Sequence, residues 1–398
     1  MKQQDFSISW PAAAGAAARI LWRDATGQRS GTASDDRTHL DACMAWLGCA
    51  HDAANGKGVA TGYHLVRGWA EPYPETTGYL IPTFLRYANL SGDTDYAQRA
   101  QQMAEWELEV QLPSGAIPGR TGRARDPVVF DTGQVIFGWL AAAQASGDER
   151  FLDAARHAGD WLLSVQDTDG AWRRNEFLGI AHAYCCRVAW ALLALGERTE
   201  QSIYTEAAHR QLEWVLAGCS ANGWIDHMSF DDRSAPFTHT IAYTLEGLWE
   251  SATYADADLA ARLRHAVQTA WQAICDRHDL AGSAPGRPLP GQLDTDWSSH
   301  GRYVCLTGNA QMALVGLRLY QVDAESDNGK AAIRLLDEVK RCQYLDSVPS
   351  ALRGAIAGSS PHWGRYLRFW YPNWAAKFFC DALMQSLDGT NGTEYPPG

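Results

Sequence analysis

The chain has 398 residues, beyond the size at which a single hydrophobic core stops growing, so it calls for two domains or one closed repeat architecture. Hydrophobic residues make up 46% and charged residues 20%, a globular composition that excludes extended disorder. A net charge of −12 opposes nonspecific binding to nucleic acid or anionic lipid, since both rest on Lys and Arg neutralising phosphates.

Residues 1–37 read as an N-terminal extension. Their Ala-rich run is broken by Pro11 and Arg19 and is too short and too polar for a secretory core. From residue 38 two classes of helix alternate. Amphipathic segments, with apolar residues at i, i+3, i+4 and i+7, run near 38–54, from Asp95, from Asp148, and near 202–217, 256–275 and 327–343. Between them lie more uniformly apolar segments. ETTGYLIPTFLRYANLSGD from Glu75 aligns with FDTGQVIFGWLAAAQASGD from Phe130, and LTGNAQMALVGLRLY from Leu306 is a third copy of the opening; weaker copies begin at His182, His239 and Asn373. Each class numbers six. The apolar helices are expected to form an inner ring and the amphipathic ones an outer ring, an all-α (α/α)6 toroid over residues 38–387 followed by a flexible tail at 388–398.

A second repeat follows the outer helices: LPSGAIPG at Leu112, DTDGAWRR at Asp167, SANGWIDH at Ser220 and LRGAIAGS at Leu352 read as glycine-centred turns. No stretch is apolar for long enough to span a bilayer. Nine Cys, an odd number without a CxxC pair, fit reduced thiols and a cytoplasmic location.

Residues Gln166 to Trp172, QDTDGAW, resemble the Q-x3-G-x-W element of terpenoid cyclases and related prenyltransferases, which are helical toroids. IAGSSPHWGRYLRFWYPNWAAKFF, ETTGYLIPTFL and LTGNAQ look like bacterial toroid proteins associated with exopolysaccharide production, a resemblance spanning 38–387. More distantly the pattern is similar to toroid glycoside hydrolases, polysaccharide lyases and uronyl epimerases. The resemblance implies the fold and attaches no single reaction. The string DTDW at Asp294 departs from the DxDD acid of the cyclases, and no D-x-C zinc element of the prenyltransferases is present.

Inner-to-outer connections are short and outer-to-inner connections long, so one rim carries nearly all the loops together with the N-termini of the inner helices. That rim gathers the candidate site. His182, Tyr184, His239 and Tyr243 are read as acid or base, and Asp131, Glu75, Glu246 and Asp296 as carboxylates for hydrolysis. Arg187 is read as a clamp for a sugar carboxylate, with Asn309, Gln311, Asn373 and Lys377 beside it. The loops add Arg120, Arg123, Arg125, Arg173, Arg302 and Arg365, and His300, beside Trp172, Trp224, Trp297, Trp363 and Trp374. With 17 Trp in the chain, some indoles should line a cavity rather than the core. Indole faces stack on sugar rings and Arg forks bind carboxylates, which together predict an acidic, uronate-containing saccharide as partner. The expected activity is β-elimination, C5 epimerisation or hydrolysis, with no cofactor or metal. A noncatalytic saccharide-binding subunit and a terpenoid-type enzyme are the alternatives.

Overall fold

The computed structural model describes residues 10–27, 34–119, 126–282, 288–345 and 349–391. Helix α1 (Trp10–Thr26) precedes twelve helices in two concentric layers. The outer layer comprises α2 (Asp36–Ala53), α4 (Thr94–Val110), α6 (Glu149–Val165), α8 (Ser202–Ala217), α10 (Ala257–His278) and α12 (Asn328–Lys340). The inner layer comprises α3 (Pro74–Ser91), α5 (Val129–Ser146), α7 (Cys186–Thr199), α9 (Thr238–Ser251), α11 (Leu306–Val322) and α13 (Asn373–Asn391). Each inner helix packs on the next, and α13 returns to α3, closing the ring. Five hairpins join an inner helix to the outer helix after it. The sixth pairs α13 with α2, so the two ends of the helical array complete one hairpin. The expected (α/α)6 toroid is the observed fold. Helix α13 continues into the segment read as a tail at 388–398, and residues beyond 391 lie outside those described.

Burial separates the layers. Every residue of α9 is buried, whereas α6 buries one stripe around Phe151, Leu152, Ala155 and Leu162. The Ser-Gly-Asp repeat is a compact reversal. Gly92 and Gly147 end α3 and α5 in the left-handed conformation, at φ 74° and 70°. The following Asp93 and Asp148 cap α4 and α6 by accepting backbone amides of Asp95 and Arg150 at 3.0 Å. The Thr-Gly repeat has a different use. Thr77 and Thr132 hydroxyls accept the backbone amides of Val59 and Ile117, tying each long loop to its helix. A Cβ on Gly133 would stand 2.9 Å from Val188 on α7, so glycine permits neighbouring inner helices to approach closely.

The long connections carry the few strands. β1 (Gly62–His64) pairs antiparallel with β2 (Gly68–Trp69) and with the distant β5 (Trp370–Pro372), while β3 (Val304–Cys305) pairs with β4 (Ser359–Ser360). Both sheets tie the last loop to others on the same rim. Among the described residues no helix is long and apolar enough to cross a membrane, and all nine cysteines are free.

The glycine-centred turns lock the outer ring. Gln111 Nε2 donates at 2.9 Å to Gly115 O of its own turn and to Ala154 O of α6; Gln166 does the same to Gly170 O and Ala207 O of α8. At the closure Gln343 donates to Gly354 O and His39 O, while its own oxygen meets His39 Nδ1 at 2.5 Å. A Cβ on Gly354, at φ 86°, would collide with Ala42 O of α2. Gly354→Ala is therefore expected to destabilise the fold by about 3 kcal/mol or more, combining left-handed strain with backbone collision. Gly92→Ala, at a similar φ with open space around it, should cost only about 1 kcal/mol. Denaturant unfolding of the two variants checks this ordering.

Candidate active site

Where the inner helices begin, polar side chains face one another across a ring lined by aromatic residues. Glu75 lies in the first turn of α3 and Asp131 in the first turn of the adjacent α5. Tyr73, in the loop before α3, donates its hydroxyl to Asp131 Oδ2 at 3.0 Å and is within hydrogen-bonding reach of the Glu75 carboxyl. One phenol thus stands beside carboxyl groups from two adjacent inner helices. Glu176, in the loop before α7, accepts the amides of Phe130 at 3.1 Å and Phe177 at 3.0 Å.

Burial decides the protonation of all three acids. It raises Glu75 from its ordinary 4.5 to about 7, and Glu176 to about 7 despite the two amide bonds that favour its charge. Asp131 is pushed well above the usual carboxylate range, first by burial and then by the charge of Glu75. At neutral pH the pair therefore holds a transferable proton. The aromatic floor beside it comprises Phe130 against Tyr184 and Tyr243, with ring centres 5.2 Å apart in both cases, and Tyr243 against Phe378 at 5.6 Å.

A second polar chain crosses the ring. Arg187 Nη1 meets Glu246 at 2.7 Å and Arg187 Nε donates to Gln134 Oε1 at 2.9 Å. Gln311 donates to the same Glu246 oxygen and faces His239 Nδ1 with its own oxygen at 3.0 Å. The amide orientation assigns the proton to Nδ1 and leaves His239 Nε2 as the lone-pair nitrogen. Burial lowers His239 to about 3, so the ring is neutral and weakly basic. The guanidinium is also wrapped by aromatic rings, 5.0 Å from Tyr243 and 5.3 Å from Trp190.

The structure brings Glu75, Asp131, Tyr184, His239, Tyr243, Glu246, Arg187 and Gln311 to one centre. Several expected roles change. Arg187 is 1% exposed and ion-paired, so it is not free to clamp a substrate carboxylate, and Glu246 is its partner rather than a free acid. Both nitrogens of His182 face carbonyl oxygens, Ser229 O and Phe177 O, at 3.0 Å each; the ring ties two loops together and is not available as a base. Trp172 is fully buried with its N–H on Leu162 O, and Arg173 is held by Asp167 and Asp169 within its own turn. Trp224 and Trp297 pack on each other, and Trp297 donates to Asn222 O.

Asn309 binds Leu289 and Cys305 backbone, and Asn373 binds Ala60 O and Thr76, so both brace loops. Lys377 pairs with Asp381 at 2.6 Å. Asp296, His300 and Arg302 are exposed on a loop, Trp363 is 43% exposed, and Arg365 reaches Ser234. Trp374 donates to the Tyr366 hydroxyl at 2.8 Å, and Tyr366 stands 5.6 Å from His239. Arg120, Arg123 and Arg125 lie outside the described residues. Tyr73, Glu176, Gln134 and Tyr366 entered the site without having been singled out from sequence. Among the described residues no group of three His, Cys, Asp or Glu could hold a metal ion.

Because Glu75 binds its proton more tightly folded than unfolded, its contribution to stability is fully present below its ordinary 4.5 and is lost as pH rises through about 7. Glu75→Gln removes that loss. Its melting temperature relative to the parent should climb between about pH 4.5 and pH 7 and level off above, whereas a constant offset would contradict burial as the cause.

In sequence, no curated protein matches the chain. In structure it is similar to an unsaturated glucuronyl hydrolase specific for heparin, with a TM-score of 0.69 and 14% identity over 89% of this chain and 98% of that one. It is equally similar to cellobiose 2-epimerase from Bacillus thermoamylovorans B4167, with a TM-score of 0.69 and 11% identity over 88% and 98%. A third neighbour is an Asp-to-Asn mutant of an unsaturated glucuronyl hydrolase from Streptococcus agalactiae complexed with dGlcA-GalNAc6S, with a TM-score of 0.59 and 12% identity over 88% and 91%. These likenesses show a shared fold. The family model for the squalene-hopene cyclase C-terminal domain matches residues 73–273, half of the chain and the stretch that holds α3 to α9 with the Gln-Gly turns. The chain belongs to the squalene-hopene cyclase C-terminal domain family.

Proposed function

We propose that the chain is a glycan-processing enzyme that hydrolyses a uronate-containing oligosaccharide, with Asp131 and Glu75 as the proton-transferring pair. The observation that carries this reading is the Tyr73 hydroxyl, hydrogen-bonded to the buried Asp131 carboxyl and standing beside the half-buried Glu75 on the adjacent inner helix. Asp131, held protonated, gives its proton to the leaving oxygen, and Glu75, once ionised, takes one from the attacking water. Elimination and epimerisation are less well served. They need a base able to remove a proton from carbon, and a histidine lowered to about 3 is a weak one; they also need a free cation on the uronate carboxylate, and Arg187 is occupied. Hydrolysis needs neither. A uronate is tolerated because protonated Asp131 does not repel it and the inner-helix N-termini favour an anion. Neighbours of the same fold, named as unsaturated glucuronyl hydrolases and including a complex with dGlcA-GalNAc6S, support this substrate class.

The family match favours a second reading, acid-initiated terpenoid cyclisation in an aromatic cavity. Against it, the aromatic faces of Tyr243, Trp190, Phe137 and Phe378 are already occupied by the ion-paired Arg187 guanidinium.

Unsaturated and saturated uronyl disaccharides, assayed for new reducing ends and for loss of the double-bond absorbance, test the reaction. Asp131→Asn should lower kcat by about 10²-fold or more with substrate binding retained. In the parent, kcat/KM should rise as pH passes about 7 and Glu75 loses its proton. Turnover unaffected by Asp131→Asn would overturn the assignment, and binding without any turnover would leave a saccharide-binding protein.

A further inference from the structure

We infer that the residues Phe177 and Leu178, with Phe230, form a binding subsite for an apolar aglycone beside the acid pair, so that the substrate is a glycoside of an alkyl or aryl group. The inference rests on the hydrolytic reading for the word "aglycone", but the subsite stands on its own geometry. Phe177 is 45% and Leu178 63% exposed, two large apolar side chains side by side in a short turn, Phe177–Gly179, beside the acid centre. Leu178 is held at φ 58°, a left-handed conformation that is unfavourable for a residue with a side chain, and this conformation sits in a turn that presents carbon to water. Two unfavourable features at one position, beside a site, mark a segment kept for binding rather than for stability.

The turn is rigidly placed. Glu176 accepts the Phe177 amide and also the Phe130 amide, the residue before Asp131, so one carboxyl fixes the ledge to the start of the acid's helix. His182 fixes the other side through Phe177 O, and Gly179 N returns to Glu176 O at 3.0 Å. From the ledge an aromatic strip runs inward: Phe177 to Phe230 at 5.8 Å, Phe230 to Tyr184 at 5.8 Å, and Tyr184 to Phe130 at 5.2 Å. The outer part of that strip supplies only carbon. Phe177, Leu178 and Phe230 offer no side-chain donor or acceptor, so a second sugar ring laid there would lose water from its hydroxyls without replacement bonds, which is costly. An alkyl or aryl group has no such hydroxyls and gains from covering the exposed carbon.

The test is calorimetric binding of octyl and methyl glucosiduronic acid, below the micellar concentration, to the Asp131→Asn protein, alongside turnover of both by the parent. Octyl should bind about tenfold more tightly than methyl, the gain from covering about two methylene groups. Leu178→Asn, which keeps a residue type tolerant of left-handed backbone while removing the apolar surface, should close most of that gap and should not lower the melting temperature. Equal affinities, a gap that survives Leu178→Asn, or no binding of either ligand would overturn the subsite. Turnover of both with equal KM would sink the subsite and leave the hydrolytic reading intact, whereas octyl-selective binding without turnover would support the subsite and sink the reaction.

Discussion

The clamp between each glycine-centred turn and the neighbouring outer helix is the contact on which the architecture turns. A glutamine at the end of one outer helix donates to its own turn and to a backbone carbonyl of the next, and the turn's glycine lies against that backbone too closely for a side chain. Two consequences follow from the amide's two donors. Successive outer helices are held at a fixed offset, and the same contact, made by Gln343 and Gly354 against α2, joins the end of the chain to its beginning. Hydrophobic burial alone would hold the helices together without setting how many fit around the ring. Directional hydrogen bonds to backbone set the offset at three places around it, the closure included.

Closure brings inner-helix N-termini from distant parts of the chain to a common centre, and burial there governs the chemistry. A carboxyl in contact with water ionises below neutrality; Glu75 and Asp131 resist ionisation because solvation of their charge is lost, and in addition Asp131 senses Glu75 while Glu75 senses Glu176. Tyr73 offsets part of that effect by donating to the charged form. The Arg187–Glu246 pair is the opposite solution to the same problem. Both charges are kept and each is satisfied by its partner and by an amide from Gln134 or Gln311, giving a rigid cross-member instead of a proton reservoir.

Sequence pattern reaches different depths in the two layers of explanation. Helix alternation, the Ser-Gly-Asp reversals and the recurrent turn glycines are local signals, and they locate all twelve ring helices. Glu75, Asp131, His239 and Tyr243 were legible as polar groups at the start of otherwise apolar helices. Tyr73, Glu176 and Tyr366 were not, because they sit in long connections that do not repeat and whose paths depend on the finished ring. The loop arginines and indoles misled for a related reason. Arg173 is neutralised by Asp167 and Asp169 in its own turn and the Trp172 indole finds its acceptor ten residues back, pairings that residue type alone does not announce. A carboxyl followed directly by apolar side chains, Glu176 with Phe177 and Leu178, was the available clue to a loop built for binding.

The closed ring holds the acid pair protonated near neutrality. Carbon-13 NMR titration of the Glu75 and Asp131 side-chain carboxyls measures this directly. Glu75 should change state near 7 and Asp131 well above the usual carboxylate range, and opening the clamp with Gln343→Ala should return Glu75 toward its ordinary 4.5. Two carboxyls titrating in the ordinary range within the intact protein would contradict the account.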